Sequence, residues 1–178
     1  MQSVSNYKCC FIGHRKIEIT EQLKNNIYKY IESLIKIKHI KLFLFGSCSQ
    51  FDDLCYMIVT KLKTKYIDIK RIFIRSSHEN ISESYKSYLL QNFEETIYPI
   101  ECKNSGKLSY ITRNKVMINQ SQYCVFYYDK NYLPDKRRLS KKDIFSYQPN
   151  SGTAFSYKYA IQKKKIIRNF YINNIKQR

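Results

Sequence analysis

Hydrophobic runs alternate with helical patterns along almost the whole chain, and each run is continuous rather than alternating apolar with polar. Residues 7–12, 40–45, 71–74, 96–100, 123–128 and 165–171 read as strands. Between them, Leu23, Ile27, Ile31 and Leu34 recur at helical spacing behind the candidate N-cap Thr20. Phe51, Leu54, Ile58 and Leu62 mark a second helix ending near Lys65, and residues 83–92 a third. Leu108, Ile111 and Ile118 mark a fourth, and a last helix runs from about Thr153 to Gln162. Strands that are apolar on both faces belong in a parallel sheet covered by helices on both sides. The pattern predicts a Rossmann-like, doubly wound α/β fold with a mostly parallel sheet. Right-handed crossovers then place every turn after a strand on one rim, the edge at which such folds bind ligands.

Glycine placement points to the same rim. Of only four glycines, Gly13 and Gly46 end hydrophobic runs, and Gly152 opens the last helical pattern. Glycine allows positive φ and close backbone approach, and a strand-to-helix turn aims N–H groups and a helix dipole at whatever lies above the sheet. An anion such as phosphate suits that position.

At 178 residues and 21.5 kDa, the chain is expected to form one domain spanning residues 1–178. Lys130–Asn150 has no clear periodicity and carries Lys136, Arg137, Arg138, Lys141 and Lys142. A connection of that length reads as a basic flap over the rim or a solvated loop. No stretch resembles a signal peptide or a membrane span, so a cytoplasmic location and no membrane partner are expected. The six cysteines form no CxxC pair and read mostly as buried free thiols, with Cys48 at a helix start as the exception. His14, His39 and His78 do not stand at metal-ligand spacing, so neither a metal nor a cofactor is expected. The net charge of +18 implies attraction to anions, although a chain crowded with Ile, Asn, Tyr and Lys reflects AT-rich coding as well.

Four segments resemble, in order, the SLOG superfamily of Rossmann-like proteins and its YpsA-like bacterial branch. They are Cys9-Cys10-Phe11-Ile12-Gly13-His14-Arg15, the turn from Phe45 to Cys55, Arg113-Asn114 with Met117-Ile118, and Ser151-Gly152-Thr153 with Tyr159-Ala160. In the glycine-rich turn, Ser47 and Gln50 replace two of the family's glycines. The cytokinin-activating relatives place a glutamate after their PGGxGT segment. Here Pro149–Thr153 keeps only the frame, and residues 154–168 contain no Asp or Glu. The resemblance implies a nucleotide-derived ligand and puts Arg113 and Asn114 at its pocket; it does not carry over the hydrolytic activity.

The candidate ligand-binding residues are Gly13, His14, Arg15, Gly46, Ser47, Ser49, Asp52, Arg113, Asn114, Asp129, Ser151, Gly152 and Thr153. Arg15 suits a bidentate contact with a phosphate; alternatively, His14 or Arg15 caps backbone carbonyls or forms a salt bridge with Asp52. Asp52 suits ribose hydroxyls, a brace for its own turn, or the carboxylate of a hydrolase. Asp129, at a strand end, faces a ligand or forms a turn. Arg113 and Asn114 read by pattern alone as surface residues. Among the tyrosines, Tyr127, Tyr128, Tyr147, Tyr157 and Tyr159 include candidates for stacking on a base.

Three functions follow as expectations. The first is binding or sensing of a phosphate-bearing nucleotide at the rim, without catalysis or with little. The second is hydrolysis of an N-glycoside or nucleotide, with Asp52 as the candidate catalytic residue. The third is DNA or RNA binding through Lys136–Lys142 and the tail from Lys163 to Arg178. A homodimer is also expected, through Tyr28, Tyr30 and Ile35 of the first helix and Tyr85, Tyr88 and Leu89 of the third.

Overall fold

Among the described residues, six parallel strands form one sheet in the order β4-β3-β2-β1-β5-β6. The strands are β1 (Lys8–Gly13), β2 (Leu42–Phe45), β3 (Lys70–Ile74), β4 (Glu95–Ile97), β5 (Tyr123–Tyr127) and β6 (Ile166–Asn169). The α-helices among the described residues are α1 (Glu21–Lys38), α2 (Gln50–Lys63), α3 (Glu83–Asn92), α4 (Ser109–Gln120) and α5 (Gly152–Gln162). The structure is a computed structural model that describes residues 7–46, 49–132 and 151–171.

The continuous strand runs have the physical meaning expected of them. Cys9, Phe11, Phe43, Phe45, Tyr123 and Val125 point to one face, where α1 and α2 bury Leu23, Ile27, Ile31, Leu34, Phe51, Leu54, Ile58 and Leu62. Cys10, Ile12, Leu44, Ile72, Ile74, Cys124 and Phe126 point to the other, against Met117 and Ile118 of α4 and Ala160 of α5. Both faces are therefore core, as in a doubly wound fold. Phe11 stacks on Phe45 and Phe43, with ring centroids 5.0 and 6.0 Å apart.

Helix ends follow local chemistry. Thr20, in extended backbone, accepts a hydrogen bond from Leu23 N at 3.1 Å and starts α1. His39 stops it in the left-handed region, at φ 54°. β4 ends before Tyr98-Pro99, because proline has no N–H to give a sheet.

Three expectations need correction. Leu108 is not on the stripe of α4: it lies in the short 3-10 turn Gly106–Leu108 and is 60% exposed. The buried stripe of α4 is Arg113, Asn114, Val116, Met117 and Ile118, so two polar residues stand where an apolar period was sought. Tyr28, Tyr30 and Ile35 do not form an open patch: they are half-buried and pack against the core, while Leu89 is buried outright. Tyr85 and Tyr88 do remain exposed, with their rings stacked.

Cys9, Cys10, Cys55, Cys102 and Cys124 are free and buried, and burial pushes the Cys9 and Cys55 thiols well up. Cys10 and Cys124 are register partners on β1 and β5, with sulfurs 3.6 Å apart. Cys48, most of the basic loop at 130–150 and the tail beyond residue 171 lie outside the described residues.

Candidate functional site

The chain leaves β1 toward β2 on one side, and the later strands β5 and β6 lie on the other. Strand order thus reverses between β1 and β5, and their C-terminal ends flank the crevice where doubly wound sheets take ligands. Gly13 is the last residue of β1 and the register partner of Tyr127 on β5. The first turn of α5 comes to the same place, since the buried Thr153 hydroxyl donates to the Gly13 carbonyl at 2.9 Å.

The glycines act here through close packing. Gly106 is the only described glycine with positive φ, so Gly13, Gly46 and Gly152 do not use the left-handed freedom expected of them. A Cβ on Gly13 would lie 2.5 Å from Cβ, Cγ and Cδ1 of Phe51, which presses α2 onto the end of β1. A Cβ on Gly46 would strike the Arg113 side chain and lie 2.9 Å from the Ile74 carbonyl. Gly152 is roomier, with Tyr110 Cε2 at 3.0 Å.

His14 is 1% exposed and is tied to the end of β5. Asp129 N–H donates to His14 Nε2 at 2.9 Å, and the Asp129 carbonyl is 3.2 Å from the same nitrogen. A fixed N–H donor at the shorter distance selects the lone pair on Nε2, so the ring proton sits on Nδ1. Among the described residues, that buried Nδ1 has no hydrogen-bond partner. Burial lowers the His14 pKa from its ordinary value, against the opposing pull of Asp129, and keeps the ring neutral. Tyr132 stacks on it, with centroids 3.8 Å apart. Asp129 forms the turn: its carboxylate accepts Asn131 N–H at 2.8 Å.

The turn after β2 is occupied by its own side chains. Ser49 caps α2 by accepting Asp52 N–H at 3.1 Å. Asp52 is 3% exposed, and its Oδ2 accepts the Gly46 N–H at 3.3 Å. The carboxylate therefore sits in the first turn of α2, where the helix dipole favours it, and braces the loop. Gln50 clamps the neighbouring loop: its N–H donates to the Arg15 carbonyl at 3.0 Å and its side chain accepts Ile17 N–H at 2.9 Å. Arg15 is exposed and makes no ion pair with Asp52.

A buried polar chain joins this turn to α5. Arg113 Nη1 reaches the Ile74 carbonyl at 3.5 Å, and its Nε donates to Asn114 Oδ1 at 2.9 Å. Asn114 Nδ2 donates to the Ser156 hydroxyl at 3.0 Å, which donates to the Gly152 carbonyl at 2.8 Å. Arg113 and Asn114 are 4% and 5% exposed, so the surface reading of them is wrong. Their polar ends spend themselves on holding α4, β3 and α5 together. Ser151 caps α5 by accepting Ala154 N–H at 3.1 Å.

Gly13, His14, Asp129, Ser151, Gly152 and Thr153 thus meet around the crevice. Gly46, Ser49, Asp52 and Arg113 form the adjoining turn, Asn114 links the two, and Arg15 stands exposed beside them. Ser47 lies outside the described residues. Sequence reasoning missed Gln50, Tyr132 and Ser156. Gln50 was visible as the residue replacing a glycine, whereas the other two carried no local signal. No protein-family model matches the chain, and comparison with curated proteins finds no match.

Proposed function

We propose that this chain binds a phosphate-bearing nucleotide or nucleotide-derived ligand at the crevice between β1 and β5, as a binding or sensing protein rather than a dedicated enzyme. The observation that carries the reading is the seating of the α5 N-terminus on Gly13 through Thr153. The Gly152 and Thr153 N–H groups belong to the first turn of that helix and have no acceptor within it. A phosphate there meets two amides and a helix dipole, and α5 contains no acid to repel it. The N-terminus of α2 is a poorer place, because Asp52 and Asp53 put carboxylates in its first turn. Arg15 is exposed nearby for a charge-assisted contact, and the neutral His14 keeps a proton on Nδ1. A hydrolytic reading needs a carboxylate at the reacting carbon, and Asp52 is committed to its turn. Membership of the YpsA-like branch of the SLOG superfamily is part of the same proposal, resting on the four ordered segments.

Thermal unfolding with AMP, ADP-ribose and cyclic AMP, each against adenosine, tests the reading. A ligand that binds only the native state raises the melting temperature as concentration exceeds Kd. Stabilisation by at least one phosphate-bearing species and none by adenosine is expected. Arg15→Ala, an exposed change, should weaken binding about tenfold or more, the weight of one charge-assisted contact. No stabilisation by any of them, or equal stabilisation by adenosine, contradicts it.

One observation favours nucleic-acid binding as a second reading. α4, β5, α5 and β6 contain no Asp or Glu, and α4 and α5 are neighbours. Lys115 of α4 lies over the rings of Phe155 and Tyr159 on α5, 5.1 and 5.5 Å from their centroids, and Lys163 also lies over Tyr159. This acid-free, ring-bearing face fits a polyanion. Binding of single-stranded oligonucleotide that falls steeply between two salt concentrations is the expected sign. Loss unaffected by Lys115→Glu contradicts the assignment to this face.

A further inference from the structure

Aromatic rings crowd the C-terminal end of β5, beside the seat proposed for phosphate. Most of them are spent on one another. Tyr128 and Tyr157 stack with centroids 4.6 Å apart, and Tyr127 packs against Phe51 at 5.8 Å and Tyr171 at 5.6 Å. Tyr132 differs. One face of its ring lies on the buried His14 imidazole, with centroids 3.8 Å and planes 13° apart. Among the described residues no second ring packs on it, and Tyr132 is only half-buried.

One residue fixes this stack. Asp129 N–H donates to His14 Nε2 at 2.9 Å, and the Asp129 carbonyl accepts Tyr132 N–H at 3.2 Å. The backbone of Asp129 therefore sets both rings, and a surface held in place before a ligand arrives costs little ordering on binding. Its position fits as well. The Gly13 carbonyl that accepts the Thr153 hydroxyl is bonded to the His14 nitrogen, so the start of α5 and the His14–Tyr132 stack are neighbours on one rim. A half-exposed ring lying parallel to a buried one presents a π-face on which a nucleobase can stack.

We propose that the outer face of Tyr132 is the base-binding surface of the crevice, so that its ligand is a nucleotide with an intact base rather than a sugar phosphate. The base adds a third layer to the His14–Tyr132 stack while the phosphate meets the first turn of α5. This inference rests on the phosphate-binding reading of the crevice and narrows it. Stacking accepts every base and strengthens with ring area, so purine nucleotides bind more tightly than pyrimidine nucleotides.

Calorimetric titration of AMP and of ribose 5-phosphate into the parent, Tyr132→Phe and Tyr132→Ala tests it. The two ligands share sugar and phosphate and differ in the base. AMP is expected to bind the parent about tenfold tighter or more, in keeping with one base–aromatic stack. Tyr132→Ala should bring AMP to the level of ribose 5-phosphate without moving ribose 5-phosphate itself, and Tyr132→Phe should keep the difference. In the parent, the Tyr132 ring protons should shift upfield with AMP and not with ribose 5-phosphate, a ring-current sign that needs no variant. Equal binding of both ligands by the parent overturns the base site and leaves the phosphate reading standing; binding of neither overturns both. Unchanged AMP affinity in Tyr132→Ala, an equal loss of both ligands in that variant, or Tyr132 protons that AMP does not move overturns the assignment to Tyr132.

Discussion

Gly13 shows how one missing side chain fixes the geometry of the rim. Its hydrogen leaves room for Phe51, and a Cβ placed 2.5 Å from Cβ, Cγ and Cδ1 of that side chain cannot be absorbed by one flexible end. Gly13→Ala should therefore destabilise the fold by about 1–3 kcal/mol, the usual cost of overpacking, read as a lower urea midpoint. Gly152→Ala, with its nearest neighbour at 3.0 Å on a ring edge, should change stability by less than about 0.5 kcal/mol. Larger substitutions at Gly13 test packing before they test ligand binding. The position was legible in the sequence as a glycine at a strand end, but its reason was not, because Phe51 lies across two elements from it. His14 carries a pH signature. Burial lowers its folded pKa below the ordinary 6.5, so the unfolded chain takes up a proton first as pH falls. Stability should thus decline as pH drops below about 6.5 and level off once the folded ring also protonates. Denaturation midpoints at pH ~7.5 and ~5.5 should differ less in His14→Gln than in the parent; an unchanged difference would show that His14 is not the group responsible.

At the scale of elements, caps and stripes were the readable features. Thr20 and the stripe of α1 stand where periodicity put them, because each buried position is apolar and each cap is a hydroxyl. α4 was misread for the opposite reason: Arg113 and Asn114 are buried through partners on β3 and α5 that no local pattern announces. Removing Asn114 takes one buried hydrogen bond from each of its neighbours, Arg113 and Ser156. Asn114→Leu should cost about 1–3 kcal/mol in equilibrium unfolding, because the Arg113 Nε–H loses the Asn114 Oδ1 acceptor. The end of α1 offers a gain instead. His39 adopts φ 54°, a left-handed conformation that disfavours a Cβ. His39→Gly should raise stability by roughly 0.5–1 kcal/mol, and a loss would mean that the imidazole contributes more than its backbone strain costs.

Over the whole molecule, the doubly wound sheet was the most legible feature, since continuous apolar strands alternating with helices leave few other packings. Order within the sheet was not legible, yet it decides which of the glycine turns faces the crevice. Placing β1 beside β5 brings Gly13, Asp129 and the start of α5 together and leaves the turn after β2 to its own Asp52. Charge is also uneven at this scale, with acid-free α4 and α5 on one face and paired carboxylates such as Glu94 with Arg71 at the start of β3 and β4. The proposed homodimer now rests on the stacked, exposed Tyr85 and Tyr88 of α3. Light scattering should give about twice 21.5 kDa, falling toward that single-chain mass in Tyr88→Glu; a mass of 21.5 kDa at every concentration excludes the dimer. The central claim concerns the crevice, and backbone amide shift mapping with AMP against adenosine tests it most directly. The account predicts saturable shifts, with AMP alone, at Gly13, His14, Arg15, Asp129, Gly152 and Thr153. Shifts confined to other parts of the molecule, or shifts at these residues equal in size with adenosine, would contradict it.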